Sequence, residues 1–199
     1  MSTELLSGFA DQARGSAEAF RVMLDAMAQP GRILPLIPDF AAPAPLLAST
    51  AAICLTLCDY DTPLWLDDSL REAAVIDYLR FHTGARIEND MTQASFLLCT
   101  PATAAEALAR ADIGNAEYPD ASATLIIQVA DFAGDRLTLK GPGIKDVRAF
   151  ATAGLDARFW TLMDENHQLF PLGRDVYFAA PREIAALPRS TQIMREGQA

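Results

Sequence analysis

The sequence predicts an α/β fold, a single three-layer domain around a mixed β-sheet that spans residues 1–199. Three observations carry this reading. Apolar runs of strand length alternate with segments of helical period, the pattern of a sheet covered by helices on both faces. One hairpin signal interrupts the alternation, which makes the sheet mixed rather than all parallel. No internal repeat, low-complexity tract or linker divides the chain.

Residues 1–10 read as a loose lead-in. From Asp11 the period is helical. Phe20, Met23, Leu24 and Met27 fall at i, i+3, i+4 and i+7 and define the expected buried face, while Arg14, Glu18, Arg21 and Asp25 are spaced as exposed pairs. Pro30-Gly31 ends the helix by removing a donor and supplying a flexible turn. Residues 32–36 read as a short strand and 38–45 as a Pro- and Ala-rich loop. The apolar run 46–58 is too long for a typical strand and predicts a buried helix. Asp59-Tyr-Asp61 breaks the chain before a short strand at 63–66.

Asp67-Asp-Ser69 places caps before a helix over 70–81, with Leu70, Ala73, Ala74, Tyr78 and Phe81 on related faces, and Thr83-Gly84 closes it. Residues 94–100 predict a buried strand, 102–111 an Ala-rich helix and 114–119 a loop. The strongest strand signal is 124–130, Thr-Leu-Ile-Ile-Gln-Val-Ala. A turn at Gly134-Asp135 and the alternation of 137–140 predict an antiparallel hairpin with it. Residues 156–167 read as a helix that buries Phe159, Trp160 and Met163. Strand 176–179, a helical turn at 184–187 and a last strand at 191–194 complete the expected order.

About half of the residues are hydrophobic, so a chain of this length buries roughly 70% of its unfolded surface and needs neither disulfide nor metal to fold. The formal net charge is −10, which argues against a nucleic-acid backbone as partner. A local Arg cluster still accommodates a small anion. Fourteen Arg stand against two Lys, Lys140 and Lys145. That bias fits anion recognition by the planar guanidinium, and equally a coding bias that also explains the abundant Ala. The odd, small set Cys54, Cys58 and Cys99 is no disulfide framework. Neither a signal-peptide pattern nor an apolar stretch of membrane-helix length is present, and a cytoplasmic protein is expected.

The motifs that carry common chemistries are missing. Cys54 and Cys58 lack the spacing and companion ligands of a zinc site, and the only histidines are His82 and His167. No Gly-x-Ser-x-Gly elbow exists, and Ser122 reads as a strand-entry turn residue. In Gly141-Pro-Gly-Ile-Lys145 only Pro142 separates the glycines, so a tight turn is expected rather than a phosphate loop. Asp59 and Asp61 have two readings, oxygen ligands for Mg²⁺ or a helix stop bonded to local amides. Arg80 and His82 end a helix and serve either as contacts for an anion or a partner's carboxylate, or as its C-terminal cap.

Seven blocks in order resemble the H-subunit family of the bacterial carbon–phosphorus lyase system (PhnH). They are Phe20-Arg21 with Met23, Met27 and Pro30-Gly31; Leu55-Thr-Leu-Cys-Asp-Tyr-Asp-Thr-Pro-Leu-Trp-Leu66; Arg80-Phe-His-Thr-Gly84; Ser122-Ala-Thr-Leu125; Leu139 with Gly141-Pro-Gly-Ile144; Phe170-Pro-Leu-Gly-Arg-Asp175; and Leu187-Pro-Arg-Ser-Thr191. The resemblance implies a subunit that joins the G, I and J subunits. With the L subunit, that machinery moves an alkylphosphonate onto C1 of the ribose of ATP and displaces adenine. It also implies a fold similar to the large domain of pyridoxal-phosphate-dependent transferases without the cofactor, and a homodimer when isolated. The family supplies no assigned active site. Arg21, Asp61, Arg80 and His82, polar groups inside the blocks, are therefore the candidate ligand or partner contacts. Two other readings stand beside this one. One is a stand-alone enzyme or binding protein for a phosphorylated small molecule, and the other is a pure dimerisation scaffold.

Overall fold

A computed structural model describes residues 6–194. Helix α1, Gln12–Ala28, starts at Asp11, whose side chain accepts the Arg14 amide. Strand β1 is Leu34–Pro35, helix α2 is Ala48–Leu57 and strand β2 is Leu64–Leu66. After a 3-10 turn at Asp68–Leu70 comes helix α3, Ala73–Thr83, which Gly84 ends in the left-handed region at φ 72°. Strands β3, Ile87–Glu88, and β4, Phe96–Cys99, precede helix α4, Pro101–Arg110. Strands β5, Thr124–Gln128, β6, Leu137–Lys140, and β7, Arg148–Phe150, lead to helix α5, Ala157–Gln168, capped by Asp156. Strands β8, Asp175–Ala179, β9, Glu183–Leu187, and β10, Gln192–Met194, follow.

Seven strands form one sheet in the order β1-β9-β8-β5-β4-β2-β3. The pairs from β8 through β3 are parallel, and β9 runs against both β8 and β1. The sheet is apolar on both faces, as parallel sheets require. Leu97, Leu125, Ile127, Val176 and Phe178 enter one core with α4, α5 and the small antiparallel sheet β10-β6-β7. Leu98, Ile126, Tyr177 and Ile184 enter the other with α1, α2 and α3. The sheet thus lies between two covering layers.

Three expectations are corrected. The hairpin of 124–130 with 137–140 does not form: β5 lies between parallel β4 and β8, while β6 pairs with β7 and β10. The reason is in the side chains. Leu125, Ile126 and Ile127 are apolar on both faces and need a doubly covered position, whereas β6 buries only Leu139 of its four residues. The helical turn at 184–187 is instead β9. Its alanines favour helix locally, but pairing on both edges and burial on both faces override that weak preference. On α1 the buried stripe is Ala19, Met23 and Ala26, while Phe20 and Leu24 are 48% and 55% exposed. On α3, Val75, Tyr78 and Leu79 are buried and Phe81 is exposed. Both helices carry a wider apolar arc than the sheet covers.

Candidate functional site

Neighbouring strands β2 and β4 send the chain in opposite directions. From β2 it passes through α3 to β3, and from β4 through α4, on the other face, to β5. This is the topological switch point, the crevice where open α/β sheets hold ligands. Here the protein's own Asp67, only 4% exposed, fills it. One carboxylate oxygen accepts the Ser69 amide at 2.8 Å and the Ser69 hydroxyl at 2.7 Å. The other accepts the Thr100 amide at 3.3 Å, the Thr100 hydroxyl at 2.6 Å and the Thr103 hydroxyl. The carboxylate therefore sits at the N-terminus of α4, where a ligand's phosphate sits in nucleotide-binding sheets.

Burial alone raises the Asp67 carboxyl, but the hydrogen bonds from Thr100, Thr103 and Ser69 outweigh it and hold the group at about 2. Because the folded value lies below the unfolded one, the stabilisation is complete above roughly pH 4 and is lost as pH falls toward the folded value. Asp67→Asn is expected to lower stability by about 2–3 kcal/mol at neutral pH, the range for hydrogen bonds to a charged group. It should also flatten the loss of stability on acidification through that window. Urea denaturation followed at several acid pH values checks both; an unchanged midpoint and slope would remove Asp67 from this role.

The blocks that carry the resemblance meet in space as three junctions. At the first, the C-terminus of α1 is sealed. Arg148 donates to the carbonyls of Gln29 at 2.8 Å and Pro30 at 2.7 Å, and the Gly31 amide donates to Ala186. The turn Gly141-Pro-Gly-Ile144 closes with the Ile144 amide on the Gly141 carbonyl at 3.1 Å, and Gly143, at φ 82°, lies against the Ala28 carbonyl. The tight-turn reading of this motif holds, with Pro142 and Gly143 in the two central positions such a turn favours.

At the second junction, the Asp59–Thr62 turn abuts the α3 C-terminus, with Gly84 beside Tyr60. Asp59 accepts the Asp61 amide at 3.0 Å and the Thr62 hydroxyl at 3.0 Å, so its carboxylate holds the turn. At the third, Arg189 ties three blocks together. It bonds Asp175 at 2.6 Å, the Ser122 hydroxyl at 2.6 Å and the Pro119 carbonyl at 2.6 Å. Nearby Arg174, 9% exposed, donates to the carbonyls of Ala109 and Ala111 and caps α4. Sequence reasoning reads Asp67 only as a local cap, which it is for the Asp68–Leu70 turn, and misses its longer reach and the roles of Arg174 and Arg189. The available signal was a charge set against apolar or Pro- and Gly-rich neighbours.

Of the four candidates, Arg80 and His82 lie in the last turn of α3, Asp61 lies in the Asp59–Thr62 turn whose Tyr60 is beside Gly84, and Arg21 lies on the exposed side of α1. His82 is half-buried; its Nε2 lies 2.9 Å from the Leu6 carbonyl and its ring meets Tyr78 and Phe81. It fastens the segment before α1. Arg21, Asp61 and Arg80 are exposed. Cys54, Cys58 and Cys99 are free and buried. The Cys58 thiol is raised well above its ordinary value by its hydrogen bond with Cys54 and then by burial, so it is inert at neutral pH. Among the described residues no group of three or more His, Cys, Asp or Glu converges on a point, and no helix is long and apolar enough to cross a membrane.

The largest cavity described, about 680 Å³, opens beyond the carboxyl end of β5 between Asp131–Leu137 and Thr152–Leu155, with Trp160 in its wall.

Fold and junctions define an α/β protein whose polar motifs are mostly spent on joining its elements. The family model described as "Bacterial phosphonate metabolism protein (PhnH)" matches residues 7–194. A Rhizobium meliloti (strain 1021) protein named "Alpha-D-ribose 1-methylphosphonate 5-triphosphate synthase subunit PhnH" is 36% identical over 196 residues, 98% of each chain. A Stutzerimonas stutzeri protein named "Putative C-P lyase subunit protein HtxG" is 33% identical over 187 residues, 94% of this chain and 89% of that one. The chain belongs to the PhnH family.

Proposed function

We propose that this protein is the H subunit of a carbon–phosphorus lyase core complex. There it supports transfer of an alkylphosphonate to the ribose C1 of ATP with release of adenine, without a complete active site of its own. The observation that carries this reading is the similarity over 98% of both chains to a relative named as a subunit of the ribose 1-methylphosphonate 5-triphosphate synthase. The spending of Asp67, Arg174 and Arg189 on internal hydrogen bonds supports a shaping role over a catalytic one. The G, I and J subunits are the proposed partners, and a homodimer is the proposed state of the isolated chain.

Exposed apolar side chains support partner contacts. Tyr60 and Phe81 are each 71% exposed beside Asp61 and Arg80, and Phe20 and Leu24 flank Arg21. Arg21, Asp61, Arg80 and His82 are accordingly proposed as contact residues. A cofactor-free relative of the pyridoxal-phosphate transferase large domain is the proposed fold kinship, supported by the mixed seven-stranded sheet covered on both faces. One domain is proposed because that sheet takes strands from Leu34 to Leu187. Three free cysteines support a cytoplasmic setting.

The test is to mix the tagged chain with the G, I and J subunits of its organism and resolve the products by size. A stoichiometric complex is expected, and Phe81→Asp should weaken it by at least about tenfold without lowering the unfolding midpoint, as loss of an exposed aromatic anchor does. A chain that stays alone under these conditions overturns the reading.

A further inference from the structure

Resting on that subunit reading, we infer that the amino end of strands β5 and β8 is a docking surface for another protein of the complex, one that presents an apolar face rimmed by Lys or Arg. Tyr118 and Phe170 are 55% and 61% exposed, and Leu169 is 41% exposed. Tyr118 lies in the segment that enters β5, and Leu169 and Phe170 lie in the segment that enters β8. These strands are parallel neighbours about 4.8 Å apart, so the three residues share one edge of the sheet. Single exposed apolar residues need no explanation, but a gathered set marks an interaction site.

The two segments are fastened to one frame. Arg189 Nη1 donates to the Pro119 carbonyl at 2.6 Å and to the Pro171 carbonyl at 3.5 Å, the residues directly after Tyr118 and Phe170. The Gly173 amide donates across to the Ile113 carbonyl at 3.0 Å. Within the first segment, the Asn115 side chain accepts the Glu117 and Tyr118 amides at 3.0 and 2.9 Å. Within the second, the Phe170 amide donates to the His167 carbonyl at 3.2 Å and the Leu172 amide to the Leu169 carbonyl at 2.9 Å. Aromatic side chains carried by loops held in this way lose little freedom on binding, as interface anchors require.

Charge selects the partner. Glu117 and Asp120 flank Tyr118 and are exposed. The basic side chains around them are already committed. Arg174 is buried on the carbonyls of Ala109 and Ala111, and Arg189 is held by Asp175, Ser122 and Pro119. Arg110, at the end of α4, pairs with Glu106 and Asp90. A second copy docked by the same face would set these carboxylates against their own equivalents, which is unfavourable. A polyphosphate or nucleic-acid backbone is repelled for the same reason. A protein face with a basic rim is the complement, and its apolar centre seats the exposed rings.

Tyr60 and Phe81, already proposed as contacts, precede β2 and β3 and so lie further along the same edge, beyond β4. Four exposed aromatic residues therefore stand at the amino end of the parallel strands, opposite the carboxyl ends where open α/β sheets bind ligands. A partner docked on the amino edge leaves the carboxyl edge uncovered.

Titration of the tagged full chain with the G, I and J subunits of its organism by biolayer interferometry, with sedimentation velocity of the isolated chain, tests this. Glu117→Lys combined with Asp120→Lys, exposed changes that leave the unfolding midpoint in place, should weaken assembly at least about tenfold, mainly through slower association. Added salt should slow association of the unaltered chain but not of this variant. Phe170→Ala should weaken assembly by about tenfold or more, mainly through faster dissociation. If its unfolding midpoint falls, Tyr118→Ala takes its place. Both variants should sediment as the unaltered chain does. Undiminished assembly by both variants overturns this surface and leaves the subunit reading intact. Weakening by Phe170→Ala without any effect of the charge reversal overturns the basic partner. A change in self-association shows that a second copy occupies the face and overturns it likewise. No assembly by the unaltered chain overturns the subunit reading and this docking partner together.

Discussion

Arg189→Ala is expected to lower the unfolding free energy by about 3 kcal/mol, toward the cost of breaking a buried ion pair. Its guanidinium and the Asp175 carboxylate are 13% and 24% exposed, so neither regains full hydration when the other is removed. Arg189 also serves the Ser122 hydroxyl and the Pro119 carbonyl, which enter β5, while Asp175 begins β8. One side chain therefore aligns two adjacent parallel strands at their amino ends. Domains are stable by only about 5–15 kcal/mol, so this is a large share. Arg189→Lys should recover little, because an ammonium cannot reproduce the fork that reaches three acceptors. Asp175→Asn retains an acceptor for the Arg189 amide at 2.8 Å and should cost less, about 1–2 kcal/mol. Guanidinium denaturation of the three variants checks the order. A loss below about 1 kcal/mol for Arg189→Ala, the scale of an exposed pair, would show that the junction is solvated in solution.

The split between what the sequence reveals and what it hides follows the range of the interactions. Asp11, Pro30-Gly31 and Asp156 act within a turn of their own helices, and α1 and α5 are legible from them. The Gly141–Ile144 turn is likewise local, because Pro and Gly fix their own backbone angles. Periodicity marks the apolar arc of α1 and α3 but not how much of it a neighbour covers, so Phe20 and Leu24 on the expected buried face of α1, and Phe81 on the apolar arc of α3, are exposed. Strand partners are non-local, so nothing within β5 distinguishes a hairpin from a central parallel strand except its two apolar faces. The polar residues that matter most are the hardest to see. Asp67 reaches 33 residues ahead to Thr100, Arg174 reaches 63 back to Ala111 and Arg189 reaches 67 back to Ser122. Each is an ordinary charged residue until the fold brings its hydrogen-bond partners together. The resemblance marks the right blocks for two of the three, and the structure supplies the reason: those blocks are where separate elements are fastened.

Gly143→Ala is expected to be among the most damaging single-atom changes in the chain, with a loss of about 3–5 kcal/mol. Two costs combine. The residue adopts φ 82°, and a side chain in that region costs about 1–2 kcal/mol. A Cβ would also collide with the Ala28 carbonyl and approach Pro30 Cδ to 2.9 Å, and overpacking of this kind adds about 1–3 kcal/mol. Neither neighbour yields easily, since Ala28 closes α1 and the Pro30 carbonyl is held by Arg148. Gly84→Ala is the matched control. Its φ is 72°, but the nearest neighbour of a Cβ there, Tyr60 Cβ, would be 3.8 Å away, in ordinary contact, so only the backbone cost of about 1–2 kcal/mol applies. The difference between the two losses measures the close docking of the small sheet on the end of α1. Equal losses would show that the turn moves aside freely. A larger loss at Gly143 would show that the position of α1, and with it the exposed Phe20, Arg21 and Leu24 proposed to meet a partner, depends on a glycine more than one hundred residues away in the chain.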